Sequence, residues 1–149
     1  MKLKEKCIYY DPSKDAYYLV LLVSDMVYGR YGSMDNPSYL DRYMNQSGTG
    51  LRFKIDNIII NMDYWRNYRL DDKELETFQF VKKLTDKEFY PIDLLIHSNY
   101  KYPDIIIDVH KHMNDVYDIV KAIRHKQSEM DKLKNDICKL EKELFISMQ

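Results

Sequence analysis

The sequence predicts an α+β fold, with a small head domain of β-hairpins and short helices over residues 1–105 and a long C-terminal coiled-coil helix over residues 106–149. Three observations support this prediction. The length of 149 residues allows one modest core plus an extension. Aromatic and β-branched segments separated by turn residues fill the N-terminal part. No Pro or Gly interrupts residues 104–149, where apolar residues recur with a heptad period.

The composition is typical of a folded protein inside the cell. Hydrophobic residues make up 45% and charged residues 32% of the chain, and no apolar run approaches the ~18 residues that a membrane-spanning helix needs. Residues 1–6 lead into a short mixed segment and not into a secretory signal. Cys7 and Cys138 are far apart, which is typical of free thiols in a reducing compartment. We therefore expect an intracellular protein, in the host cytoplasm or nucleus if it is viral, with no membrane partner.

The first element is predicted to be an aromatic β-hairpin. Residues 7–10 and 16–20 are rich in Tyr, Ile and Val, and the segment between them contains the turn-forming pair Asp11-Pro12. A second interpretation stays open, because Asp11 could cap a helix that begins with Pro12. The Tyr and Val residues on both sides of the turn favour the hairpin.

Two short helices are expected next. Residues 24–28 form the first, which Gly29 and Gly32 bring to an end. Asn36 as N-cap and Pro37 at the first helical position open the second.

The rest of the head is expected to add a second hairpin and a third helix. Residues 51–55 and 58–60 are separated by an Asp-Asn turn and form the hairpin. Acidic residues open the third helix, over residues 71–84, and Pro91 closes that segment. Residues 105–107 are either a last strand or the beginning of the long helix. The apolar residues of the third helix are Leu75, Phe78, Val81 and Leu84.

The C-terminal heptads predict a parallel coiled-coil homodimer. One position is apolar throughout, the other is polar at His112, Lys126 and Ser147, and mixed-sign charges flank both. The alternatives are a helix folded back on its own head, an upper half packed on the head, and an oligomer larger than a dimer. The first heptad position holds Val109, Val116, Ile123, Met130, Ile137 and Leu144, and the second holds His112, Ile119, Lys126, Leu133, Leu140 and Ser147. The predicted oligomerisation residues are Ile123, Met130, Leu133, Ile137, Leu140 and Leu144.

No motif for catalysis is present. The chain has four Gly and no phosphate-binding loop, nucleophile elbow or zinc-protease motif, so we expect no enzyme and no cofactor. His110 and His112 lie near Asp104 and Asp108, but two His at this spacing do not share a helix face, so we expect no metal site. The Tyr-rich head could instead bind another protein.

Four residues are candidates for DNA contacts. Arg42 and Asn45 would lie near the end of the second short helix, and Arg52 and Lys54 alternate with apolar residues along the strand that follows. Such a helix could face a groove while the strand contacts backbone phosphates. The alternative is that Arg42, Arg52 and Lys54 are ordinary surface residues beside acidic neighbours. The net charge of −1 argues against binding by charge alone.

The order of these elements resembles the N-terminal domains of the BRO and KilA-N group of large DNA viruses and phages. The similar features are the hairpin of residues 8–20, a helix at 24–27 followed by Gly, the Asn36-Pro37-Ser38 segment leading to Arg42, and a helix over 74–85. The resemblance covers about residues 5–92. A coiled coil often follows that domain. The resemblance implies DNA binding.

The expected function is therefore that of a dimeric viral DNA-binding or regulatory protein without enzymatic activity. The alternative is a coiled-coil interaction or scaffold module whose head binds a host or virion protein without nucleic acid.

Overall fold

A computed structural model describes residues 2–35, 50–98 and 104–149 of the chain. Two compact units are present, Met1–Met113 and Asn114–Gln149. The first unit contains a seven-stranded sheet and one α-helix, and the second is part of a long helix. The α+β class predicted from the sequence is confirmed.

The sheet has the strand order β6-β1-β2-β3-β5-β4-β7. Neighbouring strands are antiparallel except β4 and β7, which are parallel. The strands are β1 (Cys7–Asp11), β2 (Ala16–Val23), β3 (Met26–Met34), β4 (Leu51–Ile55), β5 (Ile58–Arg69), β6 (Gln79–Lys83) and β7 (Ile105–Asp108). The helices are α1 (Asp86–Ile96), α2 (Met113–Ser147) and a short 3-10 helix, Lys73–Thr77.

Both predicted hairpins are confirmed, and their turns depend on aspartates. In the β1–β2 turn the Asp11 carboxylate accepts hydrogen bonds from the backbone N–H and the hydroxyl of Ser13, at 3.0 and 2.6 Å. Asp15 closes that turn with φ +47°, and Asp56 adopts φ +55° between β4 and β5. Asp tolerates this left-handed conformation better than most residues do, so the turns form where the sequence places it.

The predicted helix at residues 24–28 is wrong, because this segment is a tight turn leading into β3. The backbone N–H of Ser24 donates to the carbonyl of Met26 at 3.0 Å. Gly29 and Gly32 lie inside the strand. A Cβ at Gly29 would stand 2.3 Å from the Leu19 carbonyl oxygen, so glycine here permits close approach of β2 and does not end a helix. The predicted second short helix lies outside the described residues.

The predicted helix over residues 71–84 is also wrong. Asp72 caps only the short 3-10 helix, and Phe78 is already extended. The chain then forms β6, which pairs with β1. Thr85 begins α1 through a capping box with Glu88, a stronger local start than the acidic residues before it. Pro91 lies inside α1 and does not close the segment.

Two buried clusters line the two faces of the sheet. One cluster is rich in tyrosine and contains Tyr18, Tyr31 and Tyr68. Tyr31 hydrogen-bonds Tyr68 and also donates to the buried carboxylate of Asp11 at 2.8 Å. Burial raises the pKa of Tyr68 to about 12, so its hydroxyl stays neutral. The cluster on the other face is aliphatic and packs against α1; it includes Ile8, Leu19, Phe53, Ile60, Phe89 and Ile92.

The last part of the chain contains a strand and then the long helix. Residues 105–107 belong to β7 and not to the helix, which decides between the two alternatives. Helix α2 has 35 residues, which corresponds to a length of about 52 Å at ~1.5 Å per residue. The prediction of a long C-terminal helix is confirmed, and its coiled-coil nature stays a prediction.

Candidate functional site

Helix α2 carries an exposed apolar stripe. All residues from 121 to 149 are exposed in the single chain. The six predicted oligomerisation residues are between 41% and 63% exposed, although each has a large apolar side chain. They are Ile123, Met130, Leu133, Ile137, Leu140 and Leu144. Leu and Ile side chains lose roughly 1.5–3 kcal/mol each when they stay in water instead of being buried, so this stripe favours a partner.

Most of the other residues of α2 are charged or polar. Lys126 lies in the stripe, and its Nζ is 3.7 Å from the carboxylate of Glu129 one turn further on. His125 is paired with the same carboxylate at 3.0 Å. Such exposed pairs contribute little to stability, typically 0–1 kcal/mol. The charged and polar side chains therefore account for the solvation of α2, and the apolar stripe is exposed to water in the single chain.

The apolar surface of α2 broadens at its C-terminal end. Phe145, Ile146 and Met148 are exposed next to Leu144. Phe145 and Ile146 occupy outer heptad positions, so the heptad pattern does not predict their contribution. Apolar residues on several faces of the last turn extend the surface available to a partner.

The structure describes two of the four predicted DNA-binding residues. Arg42 and Asn45 lie outside the described residues. Arg52 and Lys54 share one face of β4, because side chains two residues apart on a strand point the same way. Arg52 is paired with Asp104 at 3.1 Å and its side chain is only 12% exposed. Lys54 is more exposed, and its Nζ is 4.0 Å from the Asp35 carboxylate.

A groove in the first unit was not expected from the sequence. It is a half-open cavity of about 630 Å³ between α1 and strands β2, β3 and β5, and we call it the α1 groove. Its floor has two adjacent cross-strand rows, because Tyr28 faces Asn67 and Arg30 faces Trp65 across the β3–β5 pair. The lining residues are Glu5, Lys6, Leu21, Leu22, Tyr28, Arg30, Trp65, Asn67, Phe89, Tyr90, Asp93 and His97.

The three basic side chains of the α1 groove differ in their partners. Lys6 binds the Asp86 carboxylate at 3.1 Å and the Tyr90 hydroxyl at 3.0 Å. The His97 ring is 3.5 Å from the Asp93 carboxylate. Arg30 has no ion pair with any residue that the structure describes, and its Nε is buried without a hydrogen-bond partner there. Burial lowers the pKa of Arg30, because it disfavours the charged form.

A buried carboxylate fixes α1 against the sheet. Glu88 receives a hydrogen bond from Lys82 of β6 at 2.8 Å and lies 2.7 Å from the His110 ring nitrogen. Its other oxygen accepts from the Thr85 backbone N–H at 3.0 Å. Burial alone would raise the pKa of Glu88, but these bonds from Lys82, Thr85 and His110 outweigh it and hold the pKa at about 2. Glu88 therefore stays ionised and ties one wall of the groove to β6.

Within the described ranges, no helix is long and apolar enough to cross a membrane. In the same ranges, no three His, Cys, Asp or Glu side chains are grouped so as to hold a metal ion. His110 takes part in the Glu88 cluster, and His112 lies just before α2 with φ +57°.

No protein-family model, no curated protein and no solved structure matches this chain. The resemblance to the BRO and KilA-N group therefore stays a prediction.

Proposed function

We propose that this chain is a homodimeric interaction protein without enzymatic activity, in which α2 pairs with α2 of a second copy as a parallel coiled coil. The observation that carries the proposal is the exposed apolar stripe from Ile123 to Leu144 on a helix of 35 residues. Dimerisation covers that stripe and presents two heads, each of which binds its partner.

The heptad positions support a parallel pair of identical chains. Ile123 and Ile137 are β-branched at the first position, while Leu133 and Leu140 occupy the second, a distribution that favours two parallel strands. A polar residue such as Lys126 within a seam disfavours other registers at some cost in stability. Because every copy carries the same sequence, the matching seam is always available.

The test is sedimentation of the full-length chain and two variants. The wild type is expected to sediment at about twice the 18.1 kDa of one chain. Leu133→Glu with Leu140→Glu places carboxylates in the seam and should give monomers, because buried like charges repel and lose hydration. Asn135→Glu, an outer position on the same helix, is the matched control and should stay dimeric. A monomeric wild type, or a dimeric double variant, contradicts the proposal.

DNA binding is a second candidate function, and one observation favours it. Arg52 and Lys54 lie on the same face of one strand, as a strand that contacts the phosphate backbone requires. The resemblance to the viral BRO and KilA-N domains implies the same activity. The pairing of Arg52 with Asp104 places most of the expected contact on Lys54.

Retention on duplex DNA at increasing salt concentration tests this candidate. Lys54→Glu should weaken retention of the dimer and reduce its salt dependence, because one phosphate contact is lost. Lys83→Glu removes an exposed charge from the opposite edge strand and should have a smaller effect. If the wild-type protein is not retained on duplex DNA at low salt concentration, this function is excluded.

A further inference from the structure

We propose that the α1 groove binds a small molecule that carries one aromatic ring and one carboxylate or phosphate group. The inference concerns the first unit alone and goes beyond the proposed dimerisation. It rests on an exposed aromatic floor, a half-buried guanidinium without an ion pair among the described residues, and carboxylates on the other walls.

The floor of the groove suits an aromatic ring. Trp65 is 59% exposed although it lies on a strand in the interior of the sheet. Tyr28 and Leu22 form the next row, and Tyr90 of α1 lines the facing wall. A flat ring that enters here removes Trp65 and Leu22 from water and can stack on the indole. Apolar lining with a few polar groups is typical of small-molecule sites of a few hundred Å³.

Arg30 suits the anionic group. Arg30 is the register partner of Trp65 across the strand pair, and no carboxylate among the described residues lies within ion-pair distance of it, although the more distant Asp63 carboxylate interacts with it electrostatically. The Nη1 of Arg30 donates a long hydrogen bond to the Gly29 carbonyl, at 3.4 Å. A guanidinium presents parallel donors that match a carboxylate or a phosphate.

The other walls limit the ligand to one anionic group. Glu5 and Asp93 line the groove from the N-terminal segment and from α1. Lys6 and His97, which could have neutralised more negative charge, are paired with Asp86 and Asp93. A nucleic-acid strand carries a phosphate on every nucleotide and would bring several of them against these carboxylates. A small molecule with a single anionic group avoids that repulsion.

Trp65 provides the readout, because it is the single tryptophan of the chain. The full-length protein is titrated with adenosine 5′-monophosphate and with 3-phenylpropionate, and tryptophan emission is excited where neither probe absorbs. Adenosine and 3-phenylpropanol supply the same rings without the anion, and inorganic phosphate supplies the anion without a ring. At least one charged aromatic probe should bind about tenfold or more tightly than its uncharged counterpart, and inorganic phosphate alone should bind more weakly than either.

Three variants assign the effect to the groove. Arg30→Gln should remove the tenfold preference for the charged probe. Asn67→Asp places a carboxylate on the floor of the groove with almost no change in side-chain shape. It should weaken binding of the charged probe and leave binding of the uncharged probe unchanged. Arg66→Gln is the matched control, because it removes a guanidinium from the other face of the sheet, where Arg66 lies 4.8 Å from the centre of the Tyr68 ring. This variant should leave the binding of every probe unchanged. Thermal unfolding confirms that each variant is folded.

The outcomes decide the proposal. Preference for the phosphate probe identifies a phosphorylated ligand, and preference for the carboxylate probe identifies an aromatic acid. Equal binding of charged and uncharged probes, no change of Trp65 emission with any probe, or an Asn67→Asp variant that keeps the wild-type preference would each overturn it. Sedimentation of the same samples is independent of these results, so the failure of this site is distinguishable from failure of dimerisation.

Discussion

Replacing Glu88 by Gln tests how the charged cluster holds α1 against the sheet. Glu88 is almost completely buried, and its pKa of about 2 lies well below the ordinary value of 4.5. A difference of that size means that folding stabilises the ionised carboxylate by about 3 kcal/mol, at ~1.4 kcal/mol for each tenfold change in proton affinity. We expect Glu88→Gln to lower the free energy of unfolding by about 2–3 kcal/mol at pH 7.

The pH dependence of this difference has a definite sign. Because the pKa is lower in the folded protein, the stabilisation is fully present above pH 4.5 and is lost as the pH falls through 2. The protonated carboxyl group then resembles the amide of the variant. The difference in unfolding free energy between wild type and Glu88→Gln should therefore shrink from its full value toward zero between pH 4.5 and pH 2.

Urea unfolding followed by Trp65 emission measures this difference, since Trp65 reports on the first unit only. Glu76→Gln is the matched control, because Glu76 is exposed; its effect should stay within about 0.5 kcal/mol. A Glu88→Gln variant as stable as the wild type at pH 7, or a difference that does not change with pH, refutes the reasoning.

Three further substitutions test other parts of the structure. Lys126→Leu should lower the dissociation constant of the dimer about tenfold or more, because a seam position becomes apolar; an unchanged constant by dilution sedimentation would place Lys126 outside the seam. Asp11→Asn should reduce the unfolding free energy by about 1–3 kcal/mol in urea, because an amide N–H₂ would face hydroxyl donors of Tyr31 and Ser13; equal stability would contradict the buried network. Gly29→Ala should lower the free energy of unfolding by about 1–3 kcal/mol, because its Cβ would stand 2.3 Å from the Leu19 carbonyl oxygen. A variant that unfolds at the same temperature as the wild type would contradict that close approach.

The sequence predicted the elements whose local pattern agrees with their tertiary environment. The hairpin of β1 and β2 has turn chemistry at Asp11 and arms of aromatic and aliphatic residues that are mostly buried. Helix α2 has a heptad period without interruption, so no long-range contact is needed to recognise it. Both were therefore visible in single segments of the chain.

The errors occurred where long-range strand pairing decides the structure. Residues 24–28 look helical in isolation, but β3 lies between β2 and β5, and its glycines serve close approach of the neighbouring strands. Residues 79–83 have helical spacing, yet they pair with β1 far away in the sequence. No local signal in either segment reports such a partner.

The α1 groove could not be predicted for the same reason. Arg30 and Trp65 are distant in the sequence and become neighbours only through the register of β3 and β5. The basic residues chosen from spacing, Arg52 and Lys54, do share a face, but spacing alone could not reveal that Asp104 neutralises Arg52. Charge partners across a parallel strand pair are set by topology.

Oxidative cross-linking at Leu140 tests the central claim, a parallel seam along α2, most directly. In a parallel dimer each seam residue meets its own copy, whereas Cys138 occupies an outer position. In a Cys138→Ser background, Leu140→Cys should therefore oxidise to a covalent dimer at micromolar concentration, while Asn135→Cys in the same background should remain uncrosslinked. A Leu140→Cys variant that stays monomeric on a non-reducing gel, or that cross-links no better than Asn135→Cys, would contradict the account.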